Sequence, residues 1–479
     1  MKHGKQTRII CLLLLCLLLY GIAFPAGTEE KLELREILTS IGELVPVDQT
    51  RYVLAKEWKG SNWGVYNTDG ELLIPYRYAS ISYLSFHCFD VGMYPKPDPK
   101  KQRKDAPTLE EINSHAIVLR DGTLVSPYLY GVTKALSPYW ALGIILEDGS
   151  EEDNDYTLNG LFYRIARCDV FFLGDHAVPG GEGNIPARKV AVLKREQYQN
   201  AVAHGQYLSM QDQQGQITVY DSAFQPVDLK VKRLTESIYG IKNWMLVNRI
   251  TKETVMDGCA SVEEAPTQDG LLLKVTRIDY SGYKWTCILT ESGEELMPLT
   301  MGTAVSVSMD YVLLSSNGKQ GLYSIKEQKL LLPCAFDKIV ACETSLDPYL
   351  IRGKLTVENG KKRYYFHVDS GWMVEAENKA TGRAHVGNTY YKNDKRNFRA
   401  VLYADDMIQY YLDGNIKPVV RGSGYLLTAK TEYENALVTC YGQIVKRFHT
   451  NPFVITDDDH VIIQTTGAGY KLCELITLE

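Results

Sequence analysis

The stretch Trp63-Gly64-Val65-Tyr66-Asn67-Thr68-Asp69-Gly70-Glu71-Leu72-Leu73-Ile74-Pro75-Tyr76 reads as a β-hairpin. Gly64 opens a short strand that ends near Tyr66. Asp69-Gly70 makes the turn, because glycine takes positive φ at little cost and aspartate tolerates it. Leu72 to Ile74 return as a second strand. Pro75 has no backbone donor and stops the pairing. Three apolar residues in a row, without alternation, suit a strand buried on both faces among stacked sheets.

The block recurs along the 479 residues. Gln320-Gly321-Leu322-Tyr323-Ser324 is followed by a polar turn and Leu330-Leu331-Leu332-Pro333. Asp121-Gly122 leads to Leu124-Val125 and Pro127, and Ser292-Gly293 to Leu296-Met297-Pro298, at the same turn-to-proline spacing. Asp413-Gly414 reaches Ile416 and Pro418 one residue sooner, and Ser370-Gly371 leads to Trp372-Met373-Val374 with no proline. Aromatic or apolar pairs often follow the proline, such as Tyr76 and Tyr78, or Tyr128 and Tyr130. Ala116 and Cys287 stand where Gly64 and Gly321 stand in their copies. A recurring supersecondary unit marks a repeat protein.

These blocks resemble the WG-repeat (KWG) family, whose motif runs Trp-Gly, an aromatic or aliphatic pair, Asp-Gly, an aliphatic run, Pro and an aromatic. Trp63-Gly64-Val65-Tyr66, Asp69-Gly70 and Ile74-Pro75-Tyr76-Arg77-Tyr78 carry the likeness most fully. Gly321-Leu322-Tyr323 with Leu332-Pro333 carries it with Gln320 in place of the tryptophan. The family is mostly bacterial. The resemblance implies a β-rich scaffold that binds, with no catalytic residue to carry over.

Between the blocks lie many short β segments, among them 139–146, 161–166, 190–193, 271–276, 311–315, 425–429 and 461–464. Such a series predicts an all-β repeat domain over 49–479, a sandwich, barrel or propeller. A ring removes the exposed ends of a linear stack. A propeller of about seven or eight four-stranded blades is therefore expected, with an open β-hairpin solenoid as the second arrangement. The C-terminal strand through 472–478 is expected to complete a blade with the strand near Tyr52. Residues 29–44, within a lead-in at 24–48, read as a short amphipathic helix, from Leu32, Leu34, Ile37, Leu38 and Ile41. Prolines and lysines at 94–107 predict a disordered insertion, followed by a capping box at Thr108 to Glu111. Residues 179–184 and about 261–270 read as loops.

The first 23 residues form a targeting segment. Lys2, Lys5 and Arg8 precede an apolar stretch from Ile10 to Ile22, and Ala23 suits signal-peptidase cleavage. The stretch serves either as a cleaved signal peptide or as an uncleaved anchor; both place the body outside the cytoplasm. Beyond it stand Cys88, Cys168, Cys259, Cys287, Cys334, Cys342, Cys440 and Cys473. Their spacing is irregular and lacks zinc-ligand pattern, which leaves buried free thiols or occasional bridges. The net charge of −6 argues against nucleic acid as a partner.

No local motif names a reaction or a cofactor. Gly180-Gly181-Glu182-Gly183 lacks the lysine and hydroxyl of a phosphate loop. Asp457-Asp458-Asp459-His460 and Asp405-Asp406 read as hydrated turns, since neighbours on a strand point to opposite faces. Trp58, Trp63, Tyr66, Tyr76 and Tyr78 read as blade core, with outward members able to stack on sugars or peptides. The expected function is a non-catalytic binding module of the cell envelope that engages a protein or polysaccharide at the cell surface. It touches membrane only through an uncleaved N-terminal segment. The alternatives are a propeller-type glycosidase or lyase with channel carboxylates, and a scaffold that only spaces other components.

Overall fold

A computed structural model describes residues 31–47, 50–94, 107–158, 160–174, 185–267, 270–307, 310–341, 354–367, 373–378, 384–386, 389–394, 399–404, 407–413, 415–421, 424–430, 435–439, 444–447, 453–455, 460–465 and 469–478. The N-terminal targeting segment, residues 95–106 of the lysine-rich insertion, the 179–184 loop, Ser370-Gly371, Gly414, Asp405-Asp406, Asp457 to Asp459, Cys342 and Cys440 lie outside them.

The chain is a nearly all-β repeat protein of the propeller type. The described strands form eleven antiparallel sheets in chain order, ten of them built from consecutive strands. They cover 43–78, 80–119, 132–194, 200–220, 239–257, 261–301, 303–336, 338–378, 384–413 and 415–447. The eleventh is composite: Phe453–Ile455, His460–Gln464 and Tyr470–Leu478 take their fourth strand from the other end of the chain, Lys31–Ile41. The register runs from Lys31↔Leu478 to Ile41↔Tyr470.

Neighbouring sheets pack through apolar faces. Val65, Ile74 and Tyr78 of the first sheet meet Phe89, Val91 and Val118 of the second. Cys88 and Ile117 of the second meet Ala141 and Phe171 of the third. The series continues with Trp140 and Val170 against Leu208 and Met210, then Leu272 and Ile288 against Val312 and Leu314. It goes on to Leu313 and Leu322 against Leu355 and Phe366. Ile462 and Leu472 of the composite sheet meet Val53 and Ala55 of the first. These contacts bury apolar faces between neighbouring sheets, but in the Leu72-Leu73-Ile74 run only Ile74 is buried and Leu72 is 43% exposed, because the run lies on the outermost strand of its sheet and is covered on one side alone.

Four expectations are corrected. The described strands form eleven sheets, not seven or eight, because they number 42, more than seven or eight four-stranded blades hold; the sheets at 80–119, 200–220 and 239–257 have three strands each. Lys31–Ile41 is a strand, not part of a helix. Register shifts at Glu36/Leu38 and Leu38/Ile41 interrupt its two-residue alternation, and the interrupted pattern mimics helical spacing. The C-terminal strand pairs with this strand instead of the one near Tyr52. Residues 261–267 are likewise a strand, Ser261–Thr267, whose partner Gly270–Ile278 supplies the apolar surface that its own Glu263, Glu264 and Pro266 lack.

Candidate functional site

The repeat residues occupy equivalent places. Trp63 and Gly64 lie on the third strand of the first sheet, with Trp63 opposite Tyr78 and Val65 opposite Ile74. Pro75, Tyr76 and Arg77 therefore bulge opposite Gly64. In the seventh sheet Gln320 faces Phe336 and Leu322 faces Leu332, so Pro333 to Ala335 bulge opposite Gly321. In the sixth, Thr286 faces Thr300 and Ile288 faces Met297, leaving only Pro298 and Leu299 opposite Cys287. In the second, two isolated bridges, His115↔Tyr130 and Val118↔Leu124, frame Pro127. The turns match as well. The Gly70, Gly122 and Gly293 amides donate to Asn67, Leu119 and Thr290 carbonyls, and the three glycines have φ of 88°, 82° and 88°. Tyr78 and Tyr323 are buried. These residues shape the scaffold. Asp413 differs: it ends the last strand of the ninth sheet, while Pro418 sits in the first strand of the tenth, so that block spans a junction between sheets.

The exposed aromatic side chains come from other turns. In an up-and-down sheet, all turns between second and third strands emerge on one side. Trp58 lies in that turn of the first sheet, between Tyr52–Lys56 and Trp63–Asn67. Tyr94 follows the second strand of the second sheet, Cys88–Gly92. Tyr280 and Tyr283 lie in that turn of the sixth, between Gly270–Ile278 and Lys284–Thr290. The exposed aromatic side chains among the described residues are Trp58, Tyr94, Trp244, Tyr280 and Tyr283, so four of the five share this side. Trp244, between Tyr239–Lys242 and Met245–Asn248, is the exception.

The 279–285 turn is held rigid. Asp279 Oδ1 accepts from the Ser281 and Tyr283 amides, each at 2.9 Å, and Oδ2 from Trp285 Nε1 at 3.0 Å. The Trp285 bond, with the backbone amides, keeps the Asp279 carboxyl below its usual range. Tyr280 is fully exposed and Tyr283 is 58% exposed. Asp279 orders the backbone of this turn and the Trp285 ring, so a ligand that stacks here meets a turn that is already formed.

Three buried polar clusters join sheets. Asp90 accepts from Thr133 Oγ1 at 2.8 Å and meets His115 Nδ1 at 2.9 Å. Asp169 Oδ2 accepts from Tyr130 Oη at 2.7 Å and Lys189 Nζ at 3.3 Å. Arg167 Nε lies 2.9 Å from Asp169 Oδ1 but poorly aimed; the Arg167 guanidinium bonds Oδ2 at 3.1 Å instead. The third cluster joins the fourth, fifth and sixth sheets. Glu264 Oε2 meets His204 Nδ1 at 2.5 Å, while Oε1 accepts from Ser237 Oγ at 2.6 Å and the Ile238 amide at 2.8 Å. Burial pushes the Glu264 carboxyl up, but His204, Ser237 and Ile238 together outweigh it and hold the group below its ordinary range. The carboxyl of Glu291 rests on Gly205, where a Cβ would stand 2.1 Å from Oε1. Burial, then the Glu264 charge, push Glu291 up to about 7, against a hydrogen bond from Tyr239. Nothing in the sequence flags this cluster, since His204 and Glu264 are 60 positions apart.

Among the described residues no group of three or more His, Cys, Asp and Glu side chains is arranged to hold a metal ion. No described helix is long and apolar enough to cross a membrane. His460, from the Asp-Asp-Asp-His run, is a buried strand residue.

No family model matches the chain. No curated protein matches it. Solved structures that align with it include a crystal structure titled the eukaryotic initiation factor, at 7% identity over 91% of this chain and 90% of that one, TM-score 0.27. The WD40 domain of SCAP from fission yeast aligns at 9% identity over 93% and 98%, TM-score 0.25. BamB from Moraxella catarrhalis aligns at 12% identity over 58% and 96%, TM-score 0.18. Likenesses this loose carry no argument about function.

Proposed function

We propose that this is an exported, non-catalytic binding protein of the cell envelope, built on a WG-repeat scaffold. The aromatic side formed by the second-to-third-strand turns engages a protein or polysaccharide. The observation that carries this reading is the gathering of Trp58, Tyr94, Tyr280 and Tyr283 on that side, with the 279–285 turn locked by Asp279. The basic, apolar first 23 residues support export. The buried carboxylates support the non-catalytic part, because Asp90, Asp169 and Glu264 are all engaged by partners from neighbouring strands or sheets.

Affinity capture from envelope extract, with residues 24–479 as bait, tests the reading. The wild type retains a specific component. The triple variant Trp58→Ala, Tyr280→Ala, Tyr283→Ala loses it, while Trp244→Ala keeps it. Retention by the triple variant, or no specific component in any capture, overturns the proposal.

One observation favours the glycosidase or lyase reading: Glu264 and Glu291 are neighbouring carboxyls whose proton affinities are pushed apart, as an acid and base pair requires. Release of reducing or unsaturated ends from envelope polysaccharide, abolished by Glu291→Gln, would establish it.

A further inference from the structure

The hairpin turn at Thr290 to Gly293 reaches from the sixth sheet to the fourth, and Glu291 makes the contact. Its carboxyl fills the place where any side chain at 205 would sit: a Cβ there would lie 2.1 Å from Oε1 and 2.5 Å from both Cδ and Oε2. Gly205 is buried in the turn between Asn200–His204 and Tyr207–Gln211. Glu264, on the adjoining strand Ser261–Thr267, is committed to His204, Ser237 and Ile238.

The titratable groups around this seat come from every neighbouring element. His204 and Tyr207 belong to the fourth sheet, Tyr239 to the fifth and Glu264 to the sixth, and Tyr139 lies at the first turn of the third. Glu291 raises the proton affinity of Tyr139, Tyr207 and Tyr239. Asp221 and Glu253 act on Tyr207 from further out. The charged neighbour acting on Glu291 itself is Glu264, and the Tyr239 hydroxyl favours its ionised form. A carboxylate here would therefore face a like charge in a desolvated place with one hydroxyl to compensate it.

We propose that Glu291 is a proton-operated latch: when protonated, its carboxyl seats on Gly205 and joins the sixth sheet to the fourth, and when ionised it leaves that seat and loosens the junction. The device does not depend on what the aromatic side binds. The group's proton affinity, displaced to about 7, places the transition in the neutral range.

Amide-exchange protection, corrected for intrinsic rate, tests the latch at residues 201–208 and 286–293 of the full chain. Wild-type protection at both segments is expected to fall roughly thirty-fold between about pH 5.5 and 8.5, from the difference between folded and unfolded proton affinities. In Glu291→Gln the fall disappears. In Tyr239→Phe it persists with its midpoint moved to higher pH, since that hydroxyl favours the ionised form; this variant decides the matter if Glu291→Gln does not fold. Equal pH dependence in wild type and Glu291→Gln overturns the proposal. So does flat wild-type protection, or a midpoint unmoved in Tyr239→Phe.

Discussion

The carbonyl oxygen of Ile74 passes so close to Gly64 that a Cβ at position 64 would stand 2.6 Å from it. Gly321 meets the Leu332 carbonyl oxygen at 2.7 Å in the same way. The three-residue bulge around the proline presses the return strand onto the third strand, and only glycine leaves room. Gly64→Ala and Gly321→Ala should each destabilise the protein by about 1–3 kcal/mol in urea unfolding. Ala116→Gly should cost about 1–2 kcal/mol, the strand-entropy effect together with the loss of a fully buried methyl group. At 116 the return segment is held by isolated bridges instead of a continuous ladder, so a methyl group fits.

Tyr130 should show the weight of the Asp169 cluster. Its hydroxyl bonds a carboxylate with no solvent exposure. Tyr130→Phe keeps the ring and removes the donor, and should cost about 1–3 kcal/mol. Gly143→Ala should be at least as damaging, since a Cβ there would lie 2.7 Å from ring atoms Cδ1 and Cε1 of Tyr130.

Glu264 and Glu291 should give stability a two-sided pH dependence. The folded-state proton affinity of Glu264 is lowered, so its contribution is present above the ordinary value of 4.5 and is lost as pH falls through its folded value. That of Glu291 is raised from 4.5 to about 7, so stability declines as pH rises between those values, by roughly 3 kcal/mol in all. Denaturant midpoints measured from about pH 3 to 9 should peak on the acidic side of neutrality, and Glu291→Gln should flatten the alkaline limb.

The buried thiols should be silent. Burial pushes Cys88 and Cys168 up to about 12, and Cys287 and Cys473 up to about 11. Cys88, Cys168, Cys259, Cys287, Cys334 and Cys473 are free. Iodoacetamide at pH 8 should leave Cys88, Cys168 and Cys287 unmodified in the native protein and label them all after denaturation. Deleting residues 31–41 should expose Cys473, which lies opposite Glu36 in the ladder, to labelling without denaturant.

Legibility from sequence followed the range of the interactions. The Asp-Gly turns, the proline stops and most strand positions are local chemistry and could be read directly. Where Asp413-Gly414 imitates that chemistry in the sequence, the structure puts Asp413 at the end of one sheet and Pro418 in the next, because turn propensity does not specify which strands pair. The Lys31–Ile41 strand was hidden because its partner is at the other end of the chain and its bulges disguise the alternation. The Asp279 clasp is local, with Trp285 six positions away, yet exposure of Tyr280 and Tyr283 depends on the surrounding sheets. The Glu264–His204 pair joins residues that acquire a common neighbourhood only in the folded chain.

The pairing of Arg35 with Glu474 spans 439 positions. At ordinary rates of synthesis, about 5–20 residues per second, the first strand waits roughly 20–90 seconds for its mate to leave the ribosome. Throughout that interval the strand stands open to pairing with any passing chain, and the composite sheet closes only after both of its distant segments have been made.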